Sequence, residues 1–483
     1  MTRITAEAQA VLWSDRAAGA PDGLRQAPLT SSRSADVCIV GGGFTGLWTA
    51  LEIKQQNPAV SVVLLEATSC GAGASGRNGG WATGWFDELP ELIEHFGVQQ
   101  ALWLAEESSQ AVARIGQTAE EFGFDAHVRQ SGALWTATSP SQLGSWDRAV
   151  EACARYGRPE MLELLTGDEV RRRTGSPLPL AAARHTDAAS VHPYRLVQGL
   201  LKAVLSLGVE VYEATPMQGF TRGAPVTVQT PMAVVEAAQV VLATGVWAAA
   251  LPELRRAIVP AASHVIATEP LPAEDLGEWA DGSLFGDSRL QVHYAQVTRD
   301  GRIVFGKGGG AVGAFGRVVP AHYWDEDSVR RVHADFVTHF PHLAGARITH
   351  SWGGAVDRAP HHMPFVGTVD GAGNIHYGVG YSGNGVAPSA LIGRILGRRA
   401  VGVVDDYTAC ALVSGPPAYL PPDPIRYVGG RMVQAGIGRA EAAEAAGRRP
   451  DPISALLRRL LWTTTPSWAE PRLLRRKNRA HGG

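Results

Sequence analysis

Three glycines near the start of the chain have the spacing of a phosphate-binding turn. Gly41, Gly43 and Gly46 follow the apolar run VCIV and open a segment with helical periodicity. Glu66 ends the next apolar run, twenty residues after Gly46. In this context the first glycine permits a tight turn, the second lets a pyrophosphate approach, and the third lets helix pack on strand. Since an acid such as Glu66 can accept hydrogen bonds from ribose hydroxyls, the pattern predicts a dinucleotide site.

A second glycine-rich stretch, CGAGASGRNGG, runs from Cys70 to Gly80, shortly after that acid. In an NAD enzyme the chain usually proceeds from the acid to another helix and strand, whereas nearly bare backbone lets a larger ligand lie along it. Two further segments favour the same interpretation. VVLATGVW is a predicted strand that ends at Thr244 and Gly245, and YGVGYSGNGVAPS is a glycine-rich turn before a helix. The dinucleotide that these features predict is FAD.

With these residues in place, the chain resembles the FAD-dependent D-amino-acid oxidase superfamily, in particular the branch containing gamma-glutamylputrescine oxidase and aminophosphonate oxidoreductases. The resemblance covers residues 34–402 and depends on GASGRNGG, WGGAVDRAPHHMPFVG and GYSGNGVAPS. It implies a Rossmann-like α/β domain for FAD and a substrate domain with a mixed or antiparallel sheet, so that the chain is α+β overall. It also implies hydride transfer to flavin N5 from a C–H bond beside a neutral amine, followed by hydrolysis of the imine to carbonyl and amine.

Motifs and resemblance together predict which residues contact FAD. Arg77 and Asn78 are expected to donate to phosphate, ribitol or ring, and Met217 matches the position where the family's backbone grips adenine. The helix starting near Pro388 is expected to point N–H groups at the flavin N1–C2=O edge. The full set is Gly41, Gly43, Phe44, Thr45, Gly46, Glu66, Ala67, Gly73, Ala74, Ser75, Arg77, Asn78, Gly79, Met217, Thr244, Gly245, Gly383, Asn384, Gly385 and Val386.

No catalytic residue is assigned, because the flavin carries the chemistry and no acid–base pair stands out. The candidates for orienting a substrate are Tyr294, Lys307, Trp352 and His362. Ala295 stands where relatives tend to have an arginine, so an anion contact is either lost or supplied by Lys307. The alternatives are a solvated loop position for Lys307, a core or flavin-packing position for Trp352, and a surface or flavin-adjacent position for His362.

The pair His361–His362 raises the questions of metal binding and covalent flavin. No Glu or Cys lies at metal-ligand spacing from it. The four cysteines of the chain are far apart and form no CxxC pair; they are Cys38, Cys70, Cys153 and Cys410. We therefore predict neither a metal site nor a disulfide. Some relatives attach flavin through Cys or His. Because DRAPHHMPFVG has no Cys, we expect non-covalent FAD, and the histidine pair keeps the alternative open.

The elements that must position these residues divide the chain into alternating segments. We predict a leader over 1–33, an FAD-binding domain from 34–87, 186–258 and 351–402, a substrate domain from 88–185 and 259–350, and an extension over 403–483. Residues 88–125 and 140–175 have helical periodicity. Residues 260–350 are mainly strands, and their alternating pattern predicts an antiparallel sheet with one wet face, plus one helix over 326–340.

Composition limits the remaining possibilities. The 483 residues allow two or three domains, and 45% apolar with 19% charged residues is typical of a globular enzyme. A net charge of −2 gives no attraction to nucleic acid or anionic membrane. No signal peptide or membrane span is predicted, so we expect a cytoplasmic protein. For ISALLRRLLW and RLLRRKNR we favour a packed helix with a frayed end, and contact with a membrane or partner is the alternative.

The expected function is oxidation of a small primary or secondary amine or amino acid, with FAD as cofactor and O2 as acceptor. Three alternatives stay open. The first is a dehydrogenase that passes electrons to a carrier or quinone, the second an NAD(P)H-dependent flavin monooxygenase, and the third a non-catalytic FAD-binding subunit. The absence of a second GxGxxG motif argues against the monooxygenase.

Overall fold

The structure is a computed structural model that describes residues 8–369 and 372–461. Its strands are β1 Arg33–Val40, β2 Val62–Leu65, β3 Trp81–Ala82, β4 Ala133–Ala137, β5 Leu162–Thr166, β6 Ala181–His185, β7 Ala189–Ser190, β8 Glu210–Tyr212, β9 Gly219–Thr221, β10 Val226–Gln229, β11 Val234–Leu242, β12 Val259–Thr268, β13 Leu284–Asp287, β14 His293–Val297, β15 Ile303–Lys307, β16 Ile348–Arg358, β17 Phe365–Thr368 and β18 Ile375–Val379. Its α-helices are α1 Phe44–Gln56, α2 Leu89–Glu121, α3 Asp147–Arg155, α4 Gly167–Thr174, α5 Pro193–Ser206, α6 Ala273–Leu276, α7 Glu326–His339, α8 Pro388–Ala400, α9 Asp406–Ala409, α10 Ile425–Ala445 and α11 Pro452–Leu461.

The first sheet has a parallel centre in the order β18-β11-β1-β2-β8, with β17 antiparallel at one edge and β10 and β9 extending from β11. Val40 at the end of β1 pairs with Leu65 of β2 on one side and Leu242 of β11 on the other. Parallel strands place their carboxyl ends at one edge, so the turns after these three strands meet there. The Rossmann-like α/β domain that the resemblance implies is confirmed.

Helices α1 and α8 pack side by side on this sheet. A Cβ atom added to Gly393 of α8 would lie 2.4 Å from the Cβ of Trp48, so the two helices approach closely. Buried Glu52 of α1 accepts hydrogen bonds from Arg114 of α2 and Arg398 of α8, both at 2.8 Å. Burial alone would raise the pKa of Glu52, but the arginines outweigh it and the pKa is lowered. This ion cluster holds together the two helices whose amino ends face the glycine-rich turns.

The second sheet has the order β16-β12-β15-β14-β13-β4-β6-β5 and is antiparallel except for the β13–β4 pair. Because β16 pairs with β12 over its whole length, residues 351–358 lie in this sheet, although the sequence division placed them in the FAD-binding domain. The predicted wet face is wrong. Phe336 of α7 packs on Phe305 of β15 on one face, and Tyr294 and Val265 line a cavity on the other.

The helices predicted from periodicity agree with the structure in two segments and differ in a third. The helical periodicity over 88–125 corresponds to α2, and the helix expected over 326–340 is α7. The segment 140–175 contains α3 and α4, but β5 lies between them, which the periodicity did not indicate. The strand is half-exposed at the sheet edge, so its apolar pattern is short and weak.

The leader and the C-terminal extension both contribute to the fold. Trp13 is buried and its indole N–H donates to the carbonyl of Asn78 at 2.8 Å, and Asp15 contacts His350 at 2.8 Å. After β18 and α8 the extension forms α9, α10 and α11. ISALLRRLLW corresponds largely to α11, whereas RLLRRKNR lies outside the described residues. None of the described helices combines the length and apolar character needed to cross a bilayer.

Candidate FAD and substrate site

A cavity of about 1930 Å³ is lined by residues of both sheets. Pockets for small ligands commonly measure roughly 300–1,000 Å³, so this one has room for a large cofactor together with a substrate. Every residue predicted to contact FAD lines it except Gly46. Of the four substrate candidates, Tyr294 and His362 line the cavity, whereas Lys307 and Trp352 do not.

The turn between β1 and α1 is built by close backbone contacts. Gly41 has φ of 115°, and a Cβ atom there would lie 2.3 Å from the carbonyl oxygen of Ala243. A Cβ atom on Gly46 would lie 1.9 Å from the carbonyl oxygen of Gly41. Gly46 therefore serves helix packing beneath the turn, as the third glycine of the motif requires, and this position explains why it does not line the cavity.

Glu66 stands at the carboxyl end of β2 and lines the cavity. One carboxylate oxygen accepts from the N–H of Gly42 at 2.8 Å, and the other from the N–H of Thr68 at 2.9 Å. These bonds fix the side chain beside the glycine turn. A carboxylate has about four lone-pair sites, so Glu66 keeps capacity to accept from ribose hydroxyls.

The glycine-rich stretch after β2 folds as a loop against the amino end of α1. The Ser75 hydroxyl accepts from the N–H of Phe44 at 2.8 Å, and a Cβ atom on Gly43 would lie 2.9 Å from that oxygen. Helix α1 thus begins beside bare backbone from two glycine-rich segments. Such an amino end, with its N–H groups and partial positive charge, favours a phosphate.

The side chains of Arg77 and Asn78 are engaged within the protein. Asn78 donates to the carbonyl of Ser75 at 3.0 Å and accepts from the N–H of Gly80 at 2.8 Å. The Arg77 guanidinium donates to the Ala72 carbonyl at 3.1 Å and lies 5.0 Å from the centre of the Tyr323 ring. These contacts shape the loop, and the donation of both side chains to FAD stays a prediction.

The third glycine-rich turn connects β18 with α8 and is fixed from two sides. The Thr45 hydroxyl of α1 lies 2.6 Å from the Tyr381 hydroxyl. Asp357, buried at the end of β16, accepts from the N–H of Gly380 at 2.6 Å. Burial raises the pKa of Asp357 to about 6. The turn and the start of α8 are therefore held against both α1 and the second sheet.

Tyr294 lines the cavity from β14. Its hydroxyl lies 2.6 Å from the Ser263 hydroxyl, which donates to the carbonyl of Lys307 at 2.9 Å. Since the Ser263 proton is used by that carbonyl, the Tyr294 hydroxyl is the donor of the pair. Burial raises the pKa of Tyr294 to about 12, so the phenol stays protonated. Its aromatic edge faces Trp81, with ring centres 6.4 Å apart.

Lys307 is not an anchor in this cavity, which corrects one sequence expectation. Its ammonium pairs with Asp335 of α7 at 2.6 Å, on the side of the sheet away from the cavity. His293 lies between two carboxylates, at 2.7 Å from Asp287 and 3.0 Å from Asp335. Burial lowers the pKa of His293, but the two carboxylates outweigh burial and the pKa is raised. Lys307 belongs to this charge cluster and is not a solvated loop residue.

The same cluster offers three groups of metal-ligating type. Ligand atoms of Asp287, His293 and His339 lie within 4.8 Å of one another. The Asp287 carboxylate is, however, already bonded to His293 and lies 3.1 Å from the Arg289 guanidinium. The surrounding positive charge opposes a bound cation, so the group is a hydrogen-bonded ion cluster.

Trp352 belongs to the core. It is 1% exposed, its indole N–H donates to the Arg77 carbonyl at 2.8 Å, and its ring packs edge-on against Trp13. It therefore supports the glycine-rich loop from behind. His362 has φ of 61° and lines the cavity, whereas the His361 ring packs against His95 at 4.7 Å. The structure separates the two histidines.

Sequence reasoning missed Arg358, at the end of β16. Its side chain lines the cavity, and within the described part of the chain its guanidinium has neither an ion pair nor a hydrogen bond. Burial lowers its pKa to about 10, so it is still charged at neutral pH. The available signal was an arginine inside WGGAVDRAPHHMPFVG, one of the stretches that carry the family resemblance. The cavity wall formed by α10 was also missed, since no motif marks it.

The residues present fit FAD. Three glycine-rich turns meet at one cavity, Glu66 lies beside the first, and the amino ends of α1 and α8 both reach it. In this arrangement the α1 turn would hold the pyrophosphate, and the α8 turn would face electron-rich parts of the ring.

Comparisons with known proteins agree with this assignment. Residues 36–399 match the DAO family, described as FAD dependent oxidoreductase. The chain is 31% identical over 389 residues to gamma-glutamylputrescine oxidoreductase of Escherichia coli, covering 79% of this chain and 87% of that protein. It is 28% identical over 383 residues to the probable oxidoreductase OrdL of Haemophilus influenzae, covering 78% and 85%.

A solved structure supports the fold. Glycine oxidase from Geobacillus kaustophilus superposes with a TM-score of 0.66 at 20% identity, covering 79% of this chain and 99% of that one. At this identity the likeness concerns the fold alone, and the family assignment follows from the sequence match over most of the chain. The chain belongs to the DAO family of FAD-dependent oxidoreductases.

Proposed function

We propose that this protein oxidises the C–N bond of a small amino acid, with FAD as hydride acceptor and O2 as the final acceptor. When bound, FAD supplies the hydride-accepting chemistry, and the resulting imine hydrolyses to carbonyl and amine. The name of one matched protein, gamma-glutamylputrescine oxidoreductase, supports a substrate of the amine or amino-acid class. The choice of an amino acid over a simple amine rests on one observation, the charged Arg358 side chain that lines the cavity.

Arg358 supplies an anion anchor that the sequence had led us to seek in Lys307. A charged guanidinium without a protein partner is unfavourable in a partly closed cavity, since its lost hydration is not replaced. A carboxylate on the substrate would restore two charge-assisted hydrogen bonds in the fork geometry that arginine offers. Lys307 cannot do this because Asp335 already neutralises it.

The other cavity residues orient the substrate without taking its proton. Tyr294 is protonated and its hydroxyl is committed to Ser263, so the ring edge packs against substrate and does not act as a base. The substrate amine must lose its proton to solvent before reaction, and we expect reduction of the enzyme to become faster as pH rises. Tyr294 and Trp81 exclude water from their side of the cavity.

The test is anaerobic bleaching of the purified protein with amino acids and with the amines that correspond to them without the carboxylate. We expect bleaching by at least one amino acid and hydrogen peroxide on readmission of air. Arg358→Met should weaken amino-acid binding about 30-fold or more, since losing one partner of a buried ion pair costs about 2 kcal/mol or more. Arg358→Lys should recover part of that loss, and simple amines should bind both variants as they bind the wild type.

Three results would contradict the proposal in different ways. Equal weakening for amino acids and amines would show that Arg358 has no carboxylate to bind. Rapid bleaching with transfer only to an artificial dye would indicate a dehydrogenase. Bleaching by NADPH and by no amino acid would favour the monooxygenase.

A further inference from the structure

We propose that helix α10 of the C-terminal extension forms the specificity wall of the cavity and accepts an apolar side chain of the substrate. This inference rests on the proposed function and names the substrate class more closely. The helix spans Ile425–Ala445, beyond residues 36–399 that match the family. The wall is therefore supplied by a part of the chain outside the family domain.

Gln434 attaches the helix to the second sheet at the cavity. Its side-chain amide donates to the carbonyls of Gly309 and Gly310, both at 2.6 Å, and its backbone carbonyl accepts from the side-chain amide of Gln291 at 3.0 Å. All four of these residues line the cavity. The bonds hold α10 across the loops that follow β13 and β15, so the helix is a fixed part of the enclosure.

Glu441 provides a second attachment about two turns later. Its buried carboxylate accepts from the N–H groups of Leu290 at 2.8 Å and Gln291 at 3.1 Å. A buried carboxylate is unfavourable unless its oxygens accept hydrogen bonds, and the loop after β13 supplies them here. Two attachments on the same loop determine both the position and the rotation of α10, and hence which side chains face the cavity.

The face that α10 and α11 present to the cavity is mainly apolar. The charged residue on this face, Arg426, donates hydrogen bonds to the Asp423 carboxylate and to the carbonyl of Arg255. This face therefore offers no free charge to a substrate, in contrast to Arg358. The apolar residues lining it are Ile425, Met432, Val433, Ile437 and Leu457. A substrate held through its carboxylate and amine would gain most here from an aliphatic or aromatic side chain.

Gly429 and Gly430 have no side chains and so leave space for a substrate at this face of α10. Both line the cavity, and a Cβ atom on either would meet nothing within 4 Å. Glycine is a poor helix former, and here it does not serve close packing against a neighbour. Its effect is open space at the cavity wall, which a large side chain introduced at Gly430 would fill.

The experiment compares Gly430→Leu with wild type and with Gly116→Leu. Gly116 lies in α2, also has open space around it, and does not line the cavity. Affinities of the FAD-bound proteins for acetate and hexanoate are measured by calorimetry and by perturbation of the flavin absorbance. Each buried methylene group strengthens binding by about fourfold, so wild type and Gly116→Leu should bind hexanoate at least about tenfold more tightly than acetate.

Gly430→Leu should reduce this preference to about twofold or less while keeping the melting temperature and the FAD content. Equal affinities for acetate and hexanoate in wild type, or an unchanged preference in Gly430→Leu, would overturn the proposal. Turnover of amino acids is read separately in the same preparations. If the proposed oxidase function is wrong, no amino acid will bleach the flavin in any of the three proteins. The preference for hexanoate over acetate would not change in that case.

Discussion

Asp357 permits a quantitative prediction because its carboxylate is buried and accepts its hydrogen bonds from backbone N–H groups. The carboxylate is 6% exposed, accepts from Gly380 at 2.6 Å and has no ion pair within the described residues. Burial raises its pKa from 3.8 to about 6. One pKa unit corresponds to about 1.4 kcal/mol, so the ionised form is about 3 kcal/mol less favourable in the folded protein than in the unfolded chain.

Because the pKa of Asp357 is raised by folding, the folded protein loses stability as the pH increases. A raised folded pKa contributes stability that is fully present below 3.8 and is lost as pH rises through about 6. Asp357→Asn keeps an acceptor for Gly380 and removes the titration. Between pH 5 and pH 8, the unfolding free energy of the variant minus that of wild type should therefore rise by about 1.4 kcal/mol.

Urea denaturation of both proteins at saturating FAD, at pH 5, 6, 7 and 8, measures this difference. Asp36→Asn is the control, since Asp36 is exposed and its pKa is lowered by Ser61, so it stays ionised throughout this range. Its difference from wild type should be constant. A flat or falling difference for Asp357→Asn would refute the argument that burial dominates at this carboxylate.

Two further predictions concern the cofactor. Gly46→Ala should bind FAD at least tenfold more weakly, because the new Cβ would lie 1.9 Å from the Gly41 carbonyl oxygen and must displace α1 from the turn. Flavin absorbance after gel filtration measures this loss. The control variant Gly116→Ala should keep its yellow colour. FAD should also separate from the polypeptide on acid precipitation. Yellow colour that remains in the pellet would indicate covalent attachment and direct attention to His361 and His362.

The amino-acid sequence determined the cofactor and the fold because the relevant signals are local. The glycines of the first turn, the acid at the end of β2 and the loop up to Gly80 are close in sequence, and each reflects the backbone geometry of its own segment. A short run of residues is enough to specify a tight turn or a helix start. The family assignment and the FAD cofactor were therefore predictable without coordinates.

The substrate part of the site depended on contacts between distant segments. Lys307 had the charge expected of an anchor, but Asp335 on another element neutralises it, while Arg358 has no such partner among the residues that the structure describes. Whether a cation is free depends on what the fold places beside it, and spacing along one chain does not contain that information. The second sheet depends on the fold in the same way, since α7 covers its apolar face and the opposite face, which carries Tyr294, lines the cavity.

The roles of the described parts of the leader and of the C-terminal extension depend on tertiary structure alone. Trp13 reaches Asn78, and Gln434 reaches Gly309, across 65 and 125 residues of sequence. Neither segment carries a motif, because each acts by covering apolar surface and satisfying carbonyls that other elements expose. The sequence alone thus determined which cofactor the protein binds, whereas packing determined which cation faces the substrate and which helix encloses it.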